Sequence, residues 1–313
     1  MEFWIAFVII GQFLNALVIL NDRFIVSKNI VPRPIVYAFY VSFLSIFALG
    51  TLPFGVTWPS LNTIVFSIIA AVTYLFSILL LYESLKTSKA SEVVPVVGGV
   101  ATISTLISSV LILNTGLPNS SGRSIIGFFF LVLGMVLISH FIFTRRSLML
   151  LIGSGIFFGI SSVLMKVIFS DADFINGFFW SRLANVVMAL ALLSIPSVFR
   201  TIRSDLAGKN KDAPITSKAK GANSNRFRKI FIVLGNKVLA GLAFIFILLA
   251  VKNGNVAIVN ALTATQYVFI FIFAMLFHSL LPDYFDEKTH RHEFLHKLLA
   301  TTLIVIGFFV VFA

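Results

Sequence analysis

The sequence predicts an all-α membrane protein with many spans, and three observations support this prediction. Hydrophobic residues make up 58% of the 313 residues and charged residues only 12%, with a mean hydropathy of +1.02. Apolar runs of about 20 residues, the length that crosses a bilayer as a helix, recur along the whole chain. These runs are apolar on every face rather than alternating, which favours helices over a membrane β-barrel.

Ten apolar runs are long enough to be spans, and each is predicted to be one transmembrane helix. Together they take up most of the chain, so we expect no separate soluble catalytic domain. The chain opens MEFWIAF, without a basic residue ahead of the first run, so we expect that run to be retained rather than cleaved. The predicted spans are residues 3–21, 34–53, 61–82, 92–113, 124–143, 147–169, 175–198, 229–251, 256–281 and 297–313.

The composition also excludes several classes of function. The chain has no cysteine, which excludes disulfides, thiol catalysis and thiolate metal sites. The net charge is +12, but nine of the 24 Lys and Arg residues lie in one linker, 199–229. This linker has no apolar periodicity, so we expect a mobile loop whose charge lies against anionic lipid headgroups. Nucleic-acid binding is not expected, because the basic run lacks interleaved aromatic residues apart from Phe227.

The distribution of positive charge predicts an orientation in the membrane. The loops after spans 1, 3, 5, 7 and 9, counted together with Lys229 and Lys297 at the first positions of spans 8 and 10, hold 19 Lys and Arg residues, whereas the loops on the opposite side hold only Arg123 and Lys252. Positive loops stay on the cytoplasmic side, so the count predicts that both termini face outward. The expected location is an integral, multi-pass position in the cell membrane.

The chain matches itself in two halves, at residues 1–146 and 147–313. The matches fall at one constant shift in residue number for spans 1 and 2, a larger shift for spans 3 and 4, and the largest for span 5. Two units of five spans each must point in opposite directions, so the sequence predicts an inverted repeat, the architecture of alternating access. These repeat shifts are defined by matched pairs: Arg23 with Lys166 and Pro53 with Pro196 for spans 1 and 2, Lys86 with Lys252 for spans 3 and 4, and Gly134 with Gly307 for span 5.

These features resemble the drug/metabolite transporter superfamily in its EamA-like branch. The resemblance rests on the five-plus-five spans, a small-residue turn that leads into a proline-bearing span 4, an echo of that turn before span 9, and a glycine in spans 5 and 10. It implies an exporter or exchanger of small metabolites with a cavity between the halves, and termini in the cytoplasm. The residues that carry it are Lys86, Ala90, Ser91, Pro95, Gly254, Val256, Ala257, Ala261, Gly134 and Gly307.

Ionisable side chains inside spans are the first functional candidates, because each is costly in the bilayer unless it faces a cavity or a partner. Lys166 lies close to the end of its span, so we expect its amine to reach the headgroups. Arg182 and Lys237 lie deeper and either line a substrate cavity or pair structurally. Glu83 and Glu92 are at span ends, so no buried proton-carrying carboxylate is visible. A cationic cavity favours a carboxylate or phosphate substrate.

Uncharged polar residues inside spans complete the predicted substrate site. Such side chains either bind substrate or bridge helices, and both alternatives stay open. Gly155 and Gly159, in contrast, have the spacing of close helix packing. The predicted substrate-binding residues are Asn15, Arg182, Asn185, Lys237, Asn260, Gln266 and Tyr267, and Gln12 and Asn236 are further polar candidates.

One motif suggests a different function. His292, Glu293 and His296 match H-E-x-x-H, which places two imidazoles on one helix face beside a glutamate for zinc-assisted hydrolysis. The residues after His296 contain no third ligand, which would have to come from His278, Asp283 or Asp286. The favoured prediction is therefore a secondary transporter of a small polar or anionic metabolite, not an enzyme and without a cofactor. No phosphate-binding loop is present for ATP-driven pumping, and a homo-oligomer is an open alternative.

Overall fold

The computed structural model describes residues 3–26, 34–85, 90–116, 122–139, 144–206, 223–277 and 291–312. Within these ranges the regular structure is helical throughout and contains no strand. Eight of the helical segments are long and apolar enough to cross a membrane. The prediction of an all-α, multi-pass membrane protein is therefore confirmed at that level.

The helices follow the predicted spans with local differences. Two apolar stretches, Gly122–Ile138 and Val238–Asn253, are shorter than the other eight and coincide with predicted spans 5 and 8. The helices are α1 (Phe3–Val26), α2 (Pro34–Phe43) continued by a 3₁₀ segment (Leu44–Phe54), α3 (Leu61–Ser84), α4 (Ala90–Leu113), α5 (Gly122–Ile138), α6 (Arg145–Asp171), α7 (Phe174–Leu192), α8 (Pro196–Leu206), α9 (Asn223–Asn253), α10 (Val256–Ala261) continued by a 3₁₀ turn (Leu262–Ala264), α11 (Thr265–Phe277) and α12 (Arg291–Phe312).

The basic linker differs most from its prediction. A loop through 199–229 is wrong at both ends, because α8 continues to Leu206 and α9 begins at Asn223; residues 207–222 lie outside the described part. Helix α8 forms because its segment is amphipathic, and the high content of basic residues obscures this pattern in the sequence. Ile202 is 3% exposed in a small core with Phe39 of α2, while the cations of α8 face outward.

Small residues set the closest helix contacts. A Cβ on Gly155 of α6 would lie 2.6 Å from the Cβ of Val100 on α4, and a Cβ on Gly159 would lie 2.7 Å from the carbonyl oxygen of Ala101. Contacts this short exclude any side chain. The expected packing role of Gly155 and Gly159 is confirmed.

Helices α5 and α12 cross in an antiparallel pair that also depends on glycine. A Cβ on Gly134 would lie 2.6 Å from the Ile304 side chain, and one on Gly307 would lie 2.9 Å from the carbonyl oxygen of Gly127. Leu131 of α5 and Ile304 of α12 are both fully buried beside this contact. The pair forms one wall of the main apolar core.

Candidate functional site

Helix α7 carries Arg182, and contacts at the α6–α7 turn fix the position of the first turns of α7. Asp173 caps the helix by accepting from the backbone N–H of Ile175 at 3.2 Å. The side-chain amide of Asn176 donates to Asp173 and holds the pKa of that carboxyl below its usual range. Trp180 donates from Nε1 to the carbonyl of Thr57 at 3.0 Å, and its indole stacks on that of Trp58 with centroids 5.8 Å apart.

Arg182 lies inside a cage of aromatic rings. Its guanidinium carbon is 4.7 Å from the ring centroid of Phe244 on α9, and 6.0 Å from the centroids of Tyr74 on α3 and Phe178 on α7. These distances are those of cation–π contacts. The guanidinium Nη2 has the thioether of Met165 at 3.9 Å, a weak acceptor, and Nε is buried without a hydrogen-bond partner.

No carboxylate among the described side chains interacts with Arg182. Asp173 is nine residues before it on the same helix, about 13 Å away along the axis at the α-helical rise. Glu83 and Glu92 lie near the ends of α3 and α4. A buried cation without an anionic partner costs several kcal/mol, roughly the penalty of an unpaired charge in a protein interior, and cation–π contacts offset only part of this cost.

Asn185 follows Arg182 by one turn on the same face of α7. It is 2% exposed, and its Nδ2 is buried without a hydrogen-bond partner. Ser42 of α2, which packs against α7, is 1% exposed and also has a buried hydroxyl without a partner. Buried donors without acceptors are rare in proteins and destabilise the fold unless something binds them.

A second polar group links α1 to the 3₁₀ turn after α10. Asn15 donates from Nδ2 to the Gln12 side-chain oxygen at 3.4 Å, and Gln12 donates from Nε2 to the hydroxyl of Thr263 at 3.4 Å. Gln12 is 1% exposed, whereas Asn15 is half-buried. The chain of amides holds two elements from opposite halves together.

Three further predicted residues lie on α10 and α11. Asn260 donates from Nδ2 to the hydroxyl of Thr105 on α4 at 2.6 Å, so it bridges helices. The hydroxyl of Tyr267 lies 3.8 Å from the position of a Cβ on Gly98, also on α4. Gln266 is 4% exposed. Lys237 is on α9, and its side chain lies outside the described part of the structure.

Lys166 has a role that the sequence analysis missed. Its ammonium donates to the carbonyl oxygens of Lys252 at 2.6 Å and Gly254 at 2.9 Å, where α9 ends. The expectation that this amine reaches the headgroups stays a prediction, and within the protein its acceptors are these two carbonyls. The last carbonyls of a helix lack intrahelical partners and carry partial negative charge, so they offer a nearer acceptor. Gly254, directly after the apolar run, was a usable signal for this helix end.

The aromatic cage was also missed, and no sequence signal could have found it. Tyr74, Phe178 and Phe244 come from three helices of a chain with 35 Phe and 6 Tyr residues. Their apolar character is that of any membrane span. Only tertiary packing places them around one guanidinium.

The zinc hypothesis falls largely outside the described residues. Of the motif, only the His296 side chain is described, and His278, Asp283, Asp286, His292 and Glu293 are not. In the ranges that are described, no group of three His, Asp or Glu side chains could hold a metal ion. The hypothesis stays a prediction.

Comparison with known proteins identifies solved chains with a similar fold. No protein-family model and no curated protein matches the chain. Thirteen solved chains match it in structure. One, described as "Crystal structure of protein", is 16% identical, with a TM-score of 0.64 over 97% of this chain and 96% of its own. At this identity the likeness shows a shared architecture along the whole chain, and nothing about activity.

Proposed function

We propose that this protein is a secondary transporter that moves a small polar or anionic metabolite by alternating access. As in the EamA-like family that its sequence resembles, it would act as an exporter or exchanger. The observation that carries the proposal is a set of helix contacts in one half that recurs in the other half at the repeat shifts.

The first recurring contact joins α3 to α6. Ser154 donates from its hydroxyl to the carbonyl of Ser77 at 2.9 Å. The repeat shifts relate Ser154 to Gly11 on α1, and Ser77 to Ala243 on α9. A Cβ on Gly11 would lie 3.2 Å from the carbonyl oxygen of Ala243. Both the pair Ser154–Ser77 and the pair to which the shifts relate it, Gly11–Ala243, are therefore in contact.

The second recurring contact lies two turns away in the same helix pairs. Ser161 donates from its hydroxyl to the carbonyl of Ala70 at 3.2 Å. The counterparts are Val18 and Asn236, and Asn236 donates from Nδ2 to the carbonyl of Val18 at 3.5 Å. The donor has changed sides, but the two positions are again in contact.

The third recurring contact is the crossing of α5 and α12. A Cβ on Gly134 would meet Ile304, and a Cβ on Gly307, the counterpart of Gly134, would meet Leu131 at 2.9 Å from the backbone nitrogen. Leu131 and Ile304 are themselves counterparts at the same shift. A contact that maps onto itself in this way is expected at a twofold axis between two related units.

These contacts support two five-helix units, 1–146 and 147–313. The eight long spans and the two shorter apolar helices then make ten crossings, and an odd number in each unit makes the units point in opposite directions. Such units can exchange conformations and open a central site first to one side and then to the other. Arg182, with Phe244 of α9 and Met165 of α6 beside it, lies among the helices that would move.

Transport is tested with the purified protein in proteoliposomes. Vesicles loaded with unlabelled amino acids, organic acids, sugars or nucleotides are assayed for exchange with the labelled compound outside. We expect saturable, trans-stimulated exchange for at least one class. Vesicles containing folded protein, verified by its cooperative melting, that exchange no class would contradict the proposal.

A further inference from the structure

We infer that Arg182 and Asn185 form a carboxylate-binding pair, and that the transported molecule is a monocarboxylate with an apolar or aromatic body. That this molecule is transported rests on the function proposed above. The binding site itself rests on the buried donors of α7 and on the rings around them.

The charge at this place favours a single negative charge. Among the described side chains of the bundle interior, Arg182 is a cation with no oxygen acceptor, whereas Lys166 has two carbonyls. A monoanion neutralises one guanidinium. A phosphate dianion would leave a net negative charge among the rings of Tyr74, Phe178 and Phe244, where desolvation makes it unfavourable.

The geometry favours a carboxylate. Nε and Nη2 lie on the same edge of the planar guanidinium, and this edge matches the two oxygens of a carboxylate. Nε has no partner, and Nη2 has only the thioether of Met165, which a carboxylate oxygen would replace as the better acceptor. Nδ2 of Asn185, one turn along the same face, supplies a further donor without an acceptor.

The surroundings determine the rest of the ligand. The described side chains around the guanidinium are three aromatic rings and a thioether, and none of these is a strong hydrogen-bond acceptor except the Tyr74 hydroxyl. Hydroxyl groups of a sugar, or a second charged group, would lose their water here without replacement. An apolar or aromatic body loses nothing and packs against the rings.

A purely structural role for Arg182, as an anchor for the three rings, makes the opposite prediction for stability. If Arg182 is an unfilled binding group, Arg182→Gln removes an uncompensated buried charge, and the melting temperature of the ligand-free protein rises. If Arg182 is an anchor, the same substitution loses the cation–π contacts, and the melting temperature falls. The direction of this shift separates the two roles without any ligand.

The binding experiment uses the full chain in lipid nanodiscs with three probes: phenylacetate, neutral phenylacetamide and inorganic phosphate. We expect phenylacetate to raise the melting temperature in a saturable way, phenylacetamide to bind at least about tenfold more weakly, and phosphate to have no effect. Arg182→Gln should weaken phenylacetate binding by on the order of a hundredfold and Asn185→Ala by roughly tenfold. Arg200→Gln, on the exposed face of α8, is the matched control and should leave binding unchanged.

The inference is overturned if phenylacetamide stabilises as well as phenylacetate, if phosphate binds better, or if Arg182→Gln leaves binding intact. Should Arg182→Gln fail to fold, Asn185→Ala keeps the guanidinium and carries the same test. Exchange of phenylacetate in proteoliposomes separates this inference from the proposed function. Binding without exchange supports the carboxylate site and contradicts transport, whereas exchange of another class without phenylacetate binding contradicts the site and leaves transport standing.

Discussion

Helix α4 and the α10–α11 segment are matched to each other by the repeat shift of the sequence that pairs Lys86 with Lys252, yet only α4 is continuous. Helix α4 runs unbroken from Ala90 to Leu113 although Pro95 lies inside it. Its counterpart stops at Ala261, which takes the place of Pro95, and passes through a 3₁₀ turn before α11. The half with the proline has the straight helix, and the half without it is interrupted.

Hydrogen bonds from other side chains explain the reversal. Pro95 is the sixth residue of α4, so its missing N–H removes one bond near the start of the ladder, and the helix continues past it. At the interruption, the hydroxyl of Thr102 is shared between the carbonyl of Gly98 in its own helix at 2.9 Å and the carbonyl of Asn260 at 3.1 Å. The hydroxyl of Thr265 donates to the carbonyl of Leu262 at 2.7 Å. These hydroxyls take carbonyls that α-helical N–H groups would otherwise bind. We therefore infer that the interruption arises from the contacts of Thr102 and Thr265 rather than from a helix-breaking residue.

The largest expected effect comes from separating α4 from α6. Gly155→Ala places a Cβ 2.6 Å from that of Val100 and 3.0 Å from the backbone nitrogen of Ala101, so we expect a loss of about 3 kcal/mol or more, the upper end for overpacked cores. Gly241→Ala on α9 is the control, because a Cβ there meets nothing within 4 Å. Helix propensity should make this control neutral or slightly stabilising. Thermal unfolding of both variants in the same lipid measures the difference, and equal melting temperatures would contradict the close approach.

The next effect concerns the junction where the interrupted segment begins. Lys166→Met removes the ammonium that binds the carbonyls of Lys252 and Gly254, which we expect to cost about 1.5–3 kcal/mol, the range for hydrogen bonds to charged groups. Lys252→Met is the matched control, since it removes a lysine side chain but keeps its carbonyl. If Lys166→Met and Lys252→Met have the same melting temperature, Lys166 does not stabilise the end of α9.

A smaller effect is expected when the Thr102 hydroxyl is removed from the interruption between α10 and α11. Thr102→Val keeps the shape of the side chain and removes the hydroxyl from the carbonyl of Asn260, at a cost of about 1 kcal/mol. We expect the amide hydrogen of Ala264 to exchange more slowly as it pairs with the freed carbonyl. Thr302→Val on the exposed face of α12, whose hydroxyl binds the carbonyl of Leu298, is the control. Unchanged exchange at Ala264 would mean that Thr102 does not cause the break.

The smallest effect is expected for the proline. Pro95→Ala should change stability by less than about 1 kcal/mol, because α4 is already continuous and loses no strained contact. Circular dichroism and thermal unfolding should match those of the unchanged protein. A large loss of helix or of stability would show that Pro95 shapes α4, and the comparison between the two halves would then need another explanation.

The sequence predicted the helical membrane fold because its signal is local. Continuous apolar runs identify spans, and the glycine spacing of Gly155 and Gly159 identifies a packing face, without knowledge of any neighbour. The inverted repeat stays a prediction, and the contacts between matched positions support it. Arg182 and Asn185 were candidates because polar groups at that depth are costly.

The remaining features depend on partners that are remote in sequence. At the interruption after Ala261, the hydroxyl next to the carbonyl of Asn260 belongs to Thr102, which lies in the other half of the chain. Lys166 finds carbonyls on α9 that no local pattern could assign to it. The basic charge of α8 hid the apolar face that buries Ile202. In each case a tertiary contact outweighed the local pattern.

The stacked indoles of Trp58 and Trp180 give this molecule an optical reporter of its own. Their planes are inclined by 27° and their centroids are 5.8 Å apart, which is close enough for their electronic transitions to couple. Trp180 and Arg182 both belong to α7. Any rotation of α7 relative to the segment before α3 changes the overlap of the rings. Near-ultraviolet circular dichroism can therefore follow this movement in the native chain, without attaching a dye.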